Sequence, residues 1–214
     1  MSVKDAILDA IFPKRLACYV CNSEAVTDEN GVCEACAQKL RFCPPLQKLK
    51  ETDGFAAGLL YTEAARAAMH RFKYGDAQYL AEFFASFLRP PDGVTFDTLV
   101  PVPIHKKRLR KRGYNQSALI AALVGAQYGI RVDETLLTRA KDTRTQTKLS
   151  VDARRKNVKG AFAARPCGGL SILLVDDVKT TGSTLSECAK TLKKAGAARV
   201  YALAACADEL PYQS

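Results

Sequence analysis

Residues 173–184 of this chain read LLVDDVKTTGST, and this stretch decides the fold. It belongs to a nearly continuous apolar run over residues 170–175, which is typical of a central strand covered on both faces. Two carboxylates, Asp176 and Asp177, follow at once, and a cluster of hydroxyl residues around Gly182 comes next. The pattern predicts a buried strand, an acidic tip and a turn into a helix.

The second half of the chain alternates strand-like and helical patterns. This alternation favours an α/β fold with a mostly parallel sheet flanked by helices. We expect strands over residues 96–102, 132–137, 170–175 and 199–205, and helices over 116–128 and 184–195. Residues 54–90 read as one strand and two helices, which are broken at 74–76. Thr184 and Glu187 have the spacing of a capping box at the start of the last helix.

The acid pair and the hydroxyl cluster predict a ligand site. Ligands of open α/β sheets bind outside the carboxyl ends of the strands, and the free N–H groups of a helix N-terminus favour a phosphate. The predicted phosphate cradle consists of Lys179, Thr180, Thr181, Gly182, Ser183 and Thr184. Two acids would repel a phosphate, so they fit vicinal sugar hydroxyls better, with a magnesium ion sharing the site. The alternative is that the acids cap a turn and the hydroxyls cap the helix.

The positive charge of the chain is concentrated in two places. The formal net charge is +10 over 214 residues. Residues 106–112 carry six Lys or Arg, and residues 139–159 carry eight Lys or Arg with two Asp, so that +6 and +6 give +12 and the rest is slightly acidic. This concentration indicates an anionic partner. A solvated basic face is the plainer alternative.

No segment has the pattern of an exported or membrane-spanning one. Asp5 and Asp9 interrupt the apolar residues at the start, so a signal-peptide core is missing. The longest uncharged stretch, residues 113–130, has too short an apolar part to cross a bilayer. We therefore expect a cytoplasmic protein, in which structural disulfides are rare.

Four cysteines near the start have the spacing C-x2-C-x11-C-x2-C; they are Cys18, Cys21, Cys33 and Cys36. Two such knuckles supply four thiolates in tetrahedral geometry, which predicts structural Zn²⁺, with an iron–sulfur or redox role as the alternative. We expect a zinc-ribbon domain over residues 1–47 and a second domain over residues 48–214. Cys43 is followed by two prolines and has no partner cysteine, which argues against a second zinc site.

The stretch ILLVDDVKTTGST at 172–184 resembles the phosphoribosyl pyrophosphate (PRPP) motif of type I phosphoribosyltransferases. In that family, two acidic residues bind the ribose 2- and 3-hydroxyls, and the TTG-containing loop binds the 5-phosphate. The resemblance implies that Asp176 and Asp177 are the catalytic acid pair and that residues 180–184 bind the phosphate. It also implies a type I phosphoribosyltransferase-like sheet for the larger domain.

Three more strings make the resemblance narrower. PVPIHKKRLRKRGYNQ (101–116), TQTKLSVDARRKNVKGAF (145–162) and RFKYGD (71–76), together with the cysteines, are similar to the ComF family. Members of that family are linked to natural competence and are amidophosphoribosyltransferase-like. Nearly the whole chain takes part in the resemblance, which implies competence proteins and DNA as partners.

The resemblance also places the diphosphate. In type I transferases it is held by a loop after an early strand, here residues 103–115, where Arg112 and His105 are the preferred contacts and Lys73 is a further candidate. His105 can instead be a plain loop residue, and Lys73 can cap a helix end. Residues 141–160 match the flexible loop of the family, so Arg154, Arg155 and Lys156 are expected to reach the diphosphate when that loop closes.

Two functions follow from these patterns. The first is a magnesium-dependent phosphoribosyltransferase that moves phosphoribose from PRPP to an acceptor that no motif identifies, with pyrophosphate as the leaving group. The alternative is a non-catalytic component of DNA uptake that binds single-stranded DNA through its basic stretches. Aromatic residues are sparse in those stretches, Tyr114 and Phe162 being the two, so phosphate attraction is a stronger argument than base stacking.

Overall fold

The computed structural model describes residues 17–45, 47–140 and 158–208. The strands are β1 (Gly54–Leu60), β2 (Thr98–Pro101), β3 (Leu137–Arg139), β4 (Phe162–Ala164), β5 (Ser171–Lys179) and β6 (Arg199–Ala207). The helices are α1 (Glu34–Ala37), α2 (Glu63–Tyr74), α3 (Leu80–Ser86), α4 (Lys106–Arg112), α5 (Gln116–Tyr128) and α6 (Ser183–Lys194). Arg154, Arg155 and Lys156, predicted for the flexible loop, lie outside the described residues.

The main sheet has the strand order β1-β6-β5-β2, and all of its neighbouring strands are parallel. Side chains of β5 are buried on both faces: Leu173 packs in the cluster that includes α2, α3 and α5, and Leu174 packs in the cluster that includes α6. The predicted class, an α/β fold with a mostly parallel sheet flanked by helices, is confirmed. β3 and β4 form a separate antiparallel pair.

β5 extends further than the apolar run predicts. It pairs with β6 as far as Lys179, which lies opposite Ala207. The prediction that the strand ends at residue 175 is therefore wrong. Asp176 and Asp177 lie within the part of β5 that pairs with β6. The reason is that backbone hydrogen bonds to β6 hold this segment extended whatever its side chains are.

Two other local predictions are wrong. A strand was expected over residues 132–137, but the Asp133 carboxylate accepts hydrogen bonds from the N–H groups of Thr135 and Leu136 at 2.9 Å and bends the chain into a turn. The capping box at the last helix does not form either. α6 begins one residue earlier, after Gly182, and the Glu187 carboxylate accepts a hydrogen bond from the Gly160 N–H at 2.7 Å.

The segment 103–115, expected to be a loop, contains the short helix α4. Its Lys, Arg and Leu residues have high helix propensity. The His105 side chain caps its start by accepting a hydrogen bond from the Lys107 N–H at 3.4 Å, and Gly113 ends it with φ 80°. None of its residues is buried, so this basic run lies at the protein surface.

The cysteine-containing segment packs against α2 and α3. The Tyr19 ring lies 6.2 Å from the Phe83 ring, and the Arg71 guanidinium donates to the carbonyls of Tyr19 and Val20. Farther along, Phe42 bridges to Leu59 of β1. Among the described residues, no helix combines the length and apolar character needed to cross a membrane.

Candidate functional site

A cleft opens where β5 turns into α6. It is lined by Asp176, Val178 and residues 179–185. The carboxyl end of the central strand and the N-terminus of a helix therefore meet in one place, as the motif predicts. Asp176 faces this cleft, whereas the carboxylate of Asp177 faces Lys73.

Asp176 is an acid in an enclosed setting, with 7% of its surface exposed. The Ser117 hydroxyl donates to its Oδ1 at 3.0 Å, and the Asp177 N–H donates to the same oxygen at 2.9 Å. Burial, together with the charge of Asp177, raises the pKa of Asp176 to about 7 despite these hydrogen bonds. The carboxyl can therefore gain or lose a proton near neutral pH.

Asp177 forms an ion pair with a residue that is distant in sequence. The Lys73 Nζ lies 3.0 Å from the Asp177 Oδ1, and both side chains are mostly buried. Burial opposes the charge of Lys73, but the attraction and hydrogen bond of Asp177, together with attraction to Asp176 and Tyr61, outweigh it and raise the pKa of Lys73. Lys73 is therefore a cation held beside the acid pair. This contact brings Lys73 beside the acid pair, and its role in holding a diphosphate stays a prediction.

The hydroxyl turn between β5 and α6 is tight. Gly182 has φ 76°, and a Cβ atom there would lie 2.5 Å from the Leu49 Cδ1. The Thr181 and Ser183 hydroxyls are 2.9 Å apart and share a hydrogen bond. The first N–H groups of α6 have no carbonyl partner within the helix, so this turn presents N–H and hydroxyl donors together.

Lys179 lies beneath this turn. It is 2% exposed, its Nζ is 5.9 Å from the centre of the Phe55 ring, and burial lowers the pKa of this lysine. Its Nζ has no hydrogen-bond partner among the described residues. Its Cε lies 3.7 Å from the Cβ position of Gly182, so a positive charge here would support an anion above the turn.

The two residues preferred as diphosphate contacts have other partners. His105 caps α4 through its Nδ1. The Arg112 guanidinium donates to the Gln116 side chain at 3.1 Å and to the Tyr74 hydroxyl at 3.2 Å. Of the cations predicted for the diphosphate within the described residues, Lys73 is the one in direct contact with the acid pair.

Sequence reasoning missed two residues at the site. Ser117 lies at the start of α5, where its buried hydroxyl holds Asp176. Tyr61 follows β1 at the same end of the sheet and interacts electrostatically with Lys73 and Asp177; burial raises its pKa. In the sequence, the one indication of a role was that Ser117 lies at the start of a helix and Tyr61 at the end of a strand. Such residues are common at these positions, so their type alone predicts no function.

The four ribbon cysteines come together. Their sulfur atoms all lie within 4.8 Å of one another, and the Cys21 and Cys33 sulfurs are 3.9 Å apart. Tetrahedral Zn–S bonds of about 2.3 Å place ligand sulfurs about 3.8 Å apart, so the cluster fits a metal ion of this kind. The Cys18 sulfur also accepts hydrogen bonds from the N–H groups of Val20 and Cys33 at 3.4 Å, which fix its position in the cluster.

The thiols of the cluster differ in acidity. Hydrogen bonds from the Ser23 backbone and side chain lower the pKa of Cys21 to about 6. Burial and the neighbouring thiols raise the pKa of Cys36 to about 12. A bound cation favours the thiolate at every ligand, so metal binding would offset the cost at Cys36. Cys43 lies outside this cluster.

Comparison with known proteins gives several sequence relatives over most of the chain, although no family model matches. The DNA utilization protein YhgH of Salmonella typhi is 30% identical over 217 residues, covering 88% of this chain and 96% of that protein. Competence protein F of Haemophilus influenzae is 28% identical over 209 residues, covering 84% of this chain and 91% of that protein.

A solved structure with some similarity is the glutamine PRPP amidotransferase from B. subtilis complexed with ADP and GMP. It has a TM-score of 0.40 and 18% sequence identity, and the match covers 62% of this chain and 26% of that chain.

Proposed function

This chain belongs to the ComF family, and from that premise we propose that it binds PRPP with magnesium and acts in DNA uptake during natural competence. The observation that carries the proposal is the cleft in which Asp176 and the 180–184 turn meet. An acid that accepts hydrogen bonds and a turn that donates them suit the two ends of a phosphorylated ribose.

The sugar end is assigned to the acid pair. Asp176 and Asp177 accept hydrogen bonds from the ribose 2- and 3-hydroxyls, and Ser117 keeps Asp176 in position. The phosphate end is assigned to the turn, where the hydroxyls of Thr180, Thr181, Ser183 and Thr184 add to the first N–H groups of α6. Mg²⁺ prefers carboxylate and phosphate oxygens and supplies charge neutralisation for the diphosphate.

The transfer step needs cations near the departing diphosphate. As the C1–O bond of the ribose breaks, positive charge develops on the sugar and negative charge on the leaving group. Lys73 stands nearest to the acid pair, and Arg112 and His105 remain candidate diphosphate contacts on the 103–115 segment. Arg154, Arg155 and Lys156 are proposed to close over the diphosphate and exclude water.

The remaining predictions concern the metal and the setting. The four clustered cysteines are proposed to hold structural Zn²⁺, because their spacing in the chain and in space suits it. The division into a zinc-ribbon domain (1–47) and a phosphoribosyltransferase-like domain (48–214) stays a prediction, as does a cytoplasmic location.

The enzymatic proposal is tested by incubating the zinc-loaded protein with PRPP, Mg²⁺ and a panel of nucleobases. Release of pyrophosphate with one acceptor supports a transferase. PRPP-dependent thermal stabilisation without pyrophosphate release from any acceptor supports binding and contradicts turnover with that panel. Absence of stabilisation contradicts PRPP binding itself.

A second candidate function, binding of single-stranded DNA, is favoured by α4. Its Lys106, Lys107, Arg110 and Lys111 are exposed on one short helix. Such a density of cations attracts a phosphate backbone, and the affinity then falls steeply with salt. A salt titration with a labelled single-stranded oligonucleotide tests it; no binding at low salt would remove this candidate.

A further inference from the structure

An exposed aromatic residue lies against the basic segment, although the two are far apart in sequence. Tyr74, at the end of α2, is 55% exposed. The Arg112 guanidinium carbon lies 5.0 Å from the centre of its ring, and the Arg112 side chain donates to its hydroxyl. His70, one helical turn earlier, has its ring centre 4.9 Å from that of Tyr74. We call these three residues the Tyr74 cluster.

The cluster holds the Tyr74 ring in a defined position. Arg112 is itself fixed by its hydrogen bond to Gln116, whose amide donates to the Phe72 carbonyl at 3.2 Å. A side chain that is already ordered loses less entropy when a ligand stacks on it. Tyr74 therefore offers a prepared aromatic surface to solvent.

Cations continue from the cluster along α4. Arg112 is the last residue of that helix, and Lys106, Arg110 and Lys111 on the same helix are exposed. The cluster thus joins a stacking surface to a row of phosphate-attracting groups, the two elements that single-stranded nucleic acids need. This removes the objection that aromatic residues are sparse within the basic stretches, because Tyr74 and His70 come from another helix.

The surface also adjoins the acid-pair site. Tyr74 follows Lys73, which contacts Asp177, and Gln116 precedes Ser117, which contacts Asp176. Helix α2 therefore carries a residue at the acid pair and a residue of the cluster, and α5 carries a residue at the acid pair next to Gln116, which holds Arg112 of the cluster. A ligand on Tyr74 would lie beside the cleft and not across the molecule from it.

We propose that the Tyr74 cluster and α4 together bind single-stranded nucleic acid, with a base stacked on Tyr74 and the sugar–phosphate backbone following α4. A single strand fits better than a duplex, because its base faces are free to stack. A purely acidic peptide would use the cations and leave the ring without a role. This inference deepens the second candidate function and rests on it, and it shares Arg112 with the proposed diphosphate contacts.

The test is fluorescence anisotropy with a labelled oligo-dT, an abasic oligomer of equal length and charge, and a duplex. Tyr74→Leu should weaken oligo-dT binding by roughly 5-fold or more, the loss expected for one stacked base. Tyr74→Phe should restore it, since the ring is kept. Tyr74→Leu should leave binding of the abasic oligomer unchanged, because that ligand has no base to stack.

Two further variants complete the experiment. Tyr79→Leu is the matched control, because Tyr79 is also exposed, at 47%, but packs on Tyr19 and not on Arg112. It should bind like the wild type. In a triple variant, Lys106, Arg110 and Lys111 are each replaced with Gln. The negative slope of log affinity against log salt should then become shallower by about 2.

The outcomes separate cleanly. If the wild type binds no oligo-dT at low salt, both the second candidate function and the proposed role of the Tyr74 cluster are contradicted. If oligo-dT binds and Tyr74→Leu matches Tyr79→Leu, the surface assignment is wrong and the function stands. Tighter binding of the duplex than of the single strand also overturns the proposal. A melting curve of each variant by circular dichroism shows that the chain is folded.

Discussion

The Lys73 ammonium and the Asp177 carboxylate lie 3.0 Å apart, although 104 residues separate them in the chain. Lys73 is a proposed contact of the diphosphate, and Asp177 is a proposed contact of the ribose. In this structure the charged groups of the two side chains bind each other instead. In the proposed PRPP site, a bound sugar diphosphate would replace this ion pair with two new contacts. Breaking the pair would then be part of the energetic cost of binding.

Removing Lys73 should destabilise the chain. Lys73→Met leaves Asp177 without its counter-ion in a mostly buried setting, and we expect a loss of about 3 kcal/mol in the free energy of unfolding. The double variant Lys73→Met with Asp177→Asn should recover part of this loss, because no unpaired charge is left. Urea unfolding of the four proteins in this mutant cycle measures both effects.

The control for that cycle is the more exposed ion pair between Lys193 and Asp53, which has the same 3.0 Å separation. Lys193→Met should cost less than about 1 kcal/mol, since solvent screens an exposed pair. Equal losses for Lys73→Met and Lys193→Met would show that burial adds nothing to the Lys73–Asp177 contact.

Asp176 should make stability depend on pH. Burial and Asp177 raise the pKa of Asp176 from 3.8 to about 7, so between these pH values the folded chain keeps a proton that the unfolded chain has lost. Through this group, stability is greatest below the unfolded pKa, falls as pH rises, and reaches its full penalty above the folded pKa. Asp176→Asn removes this contribution to the pH dependence of stability.

The measurement is urea unfolding of the wild type and Asp176→Asn at two pH values. Going from about pH 5 to about pH 8, the wild type should lose on the order of 2 kcal/mol more than the variant. Two pH profiles that run parallel would show that Asp176 ionises normally in the folded chain.

Gly182 should be needed for the shape of the hydroxyl turn. Gly182→Ala adds a Cβ at φ 76° and brings it to 2.5 Å from Leu49, whereas Gly129→Ala adds one at φ 67° with no atom within 4 Å. Both variants carry the strain of a positive φ, about 1–2 kcal/mol. Gly182→Ala should cost about 1 kcal/mol more and weaken PRPP-dependent thermal stabilisation. Equal effects of the two variants on stability and on PRPP stabilisation would mean that the turn tolerates the methyl group.

Loss of the proposed zinc ion should loosen the packing of the cysteine-containing segment against α2 and α3. Cys36→Ser removes one thiolate of the cluster, so we expect zinc content to fall and amide exchange in α3 to rise, because Tyr19 packs on Phe83. Cys43→Ser is the control and should keep its zinc. Unchanged zinc content in Cys36→Ser, measured by atomic absorption, would contradict the four-cysteine assignment.

The sequence predicted local elements well and long-range contacts poorly. The helix expected at 116–128 matches α5, because residues next to its ends determine its boundaries. Asn115 caps its start and Gly129 caps its end. The contacts of Ser117 with Asp176, 59 residues away, and of Arg112 with Tyr74, 38 residues away, depend on how helices pack on the sheet. No spacing rule in a single sequence encodes such contacts.

The same distinction explains the errors. An apolar run shows where a strand is buried but not where its hydrogen-bonded ladder ends, so β5 continues through two carboxylates to Lys179. The capping-box pattern predicted a local partner for Glu187, but tertiary packing gave it the Gly160 N–H instead.

Titration of Mg²⁺–PRPP into the zinc-loaded protein in a calorimeter tests the central claim most directly. We predict one site per chain in the wild type and loss of binding in the double variant Asp176→Asn with Asp177→Asn, with zinc content unchanged. Binding of equal affinity in the double variant, or no binding to the wild type, would contradict the assignment of the acid pair and the hydroxyl turn to a sugar diphosphate.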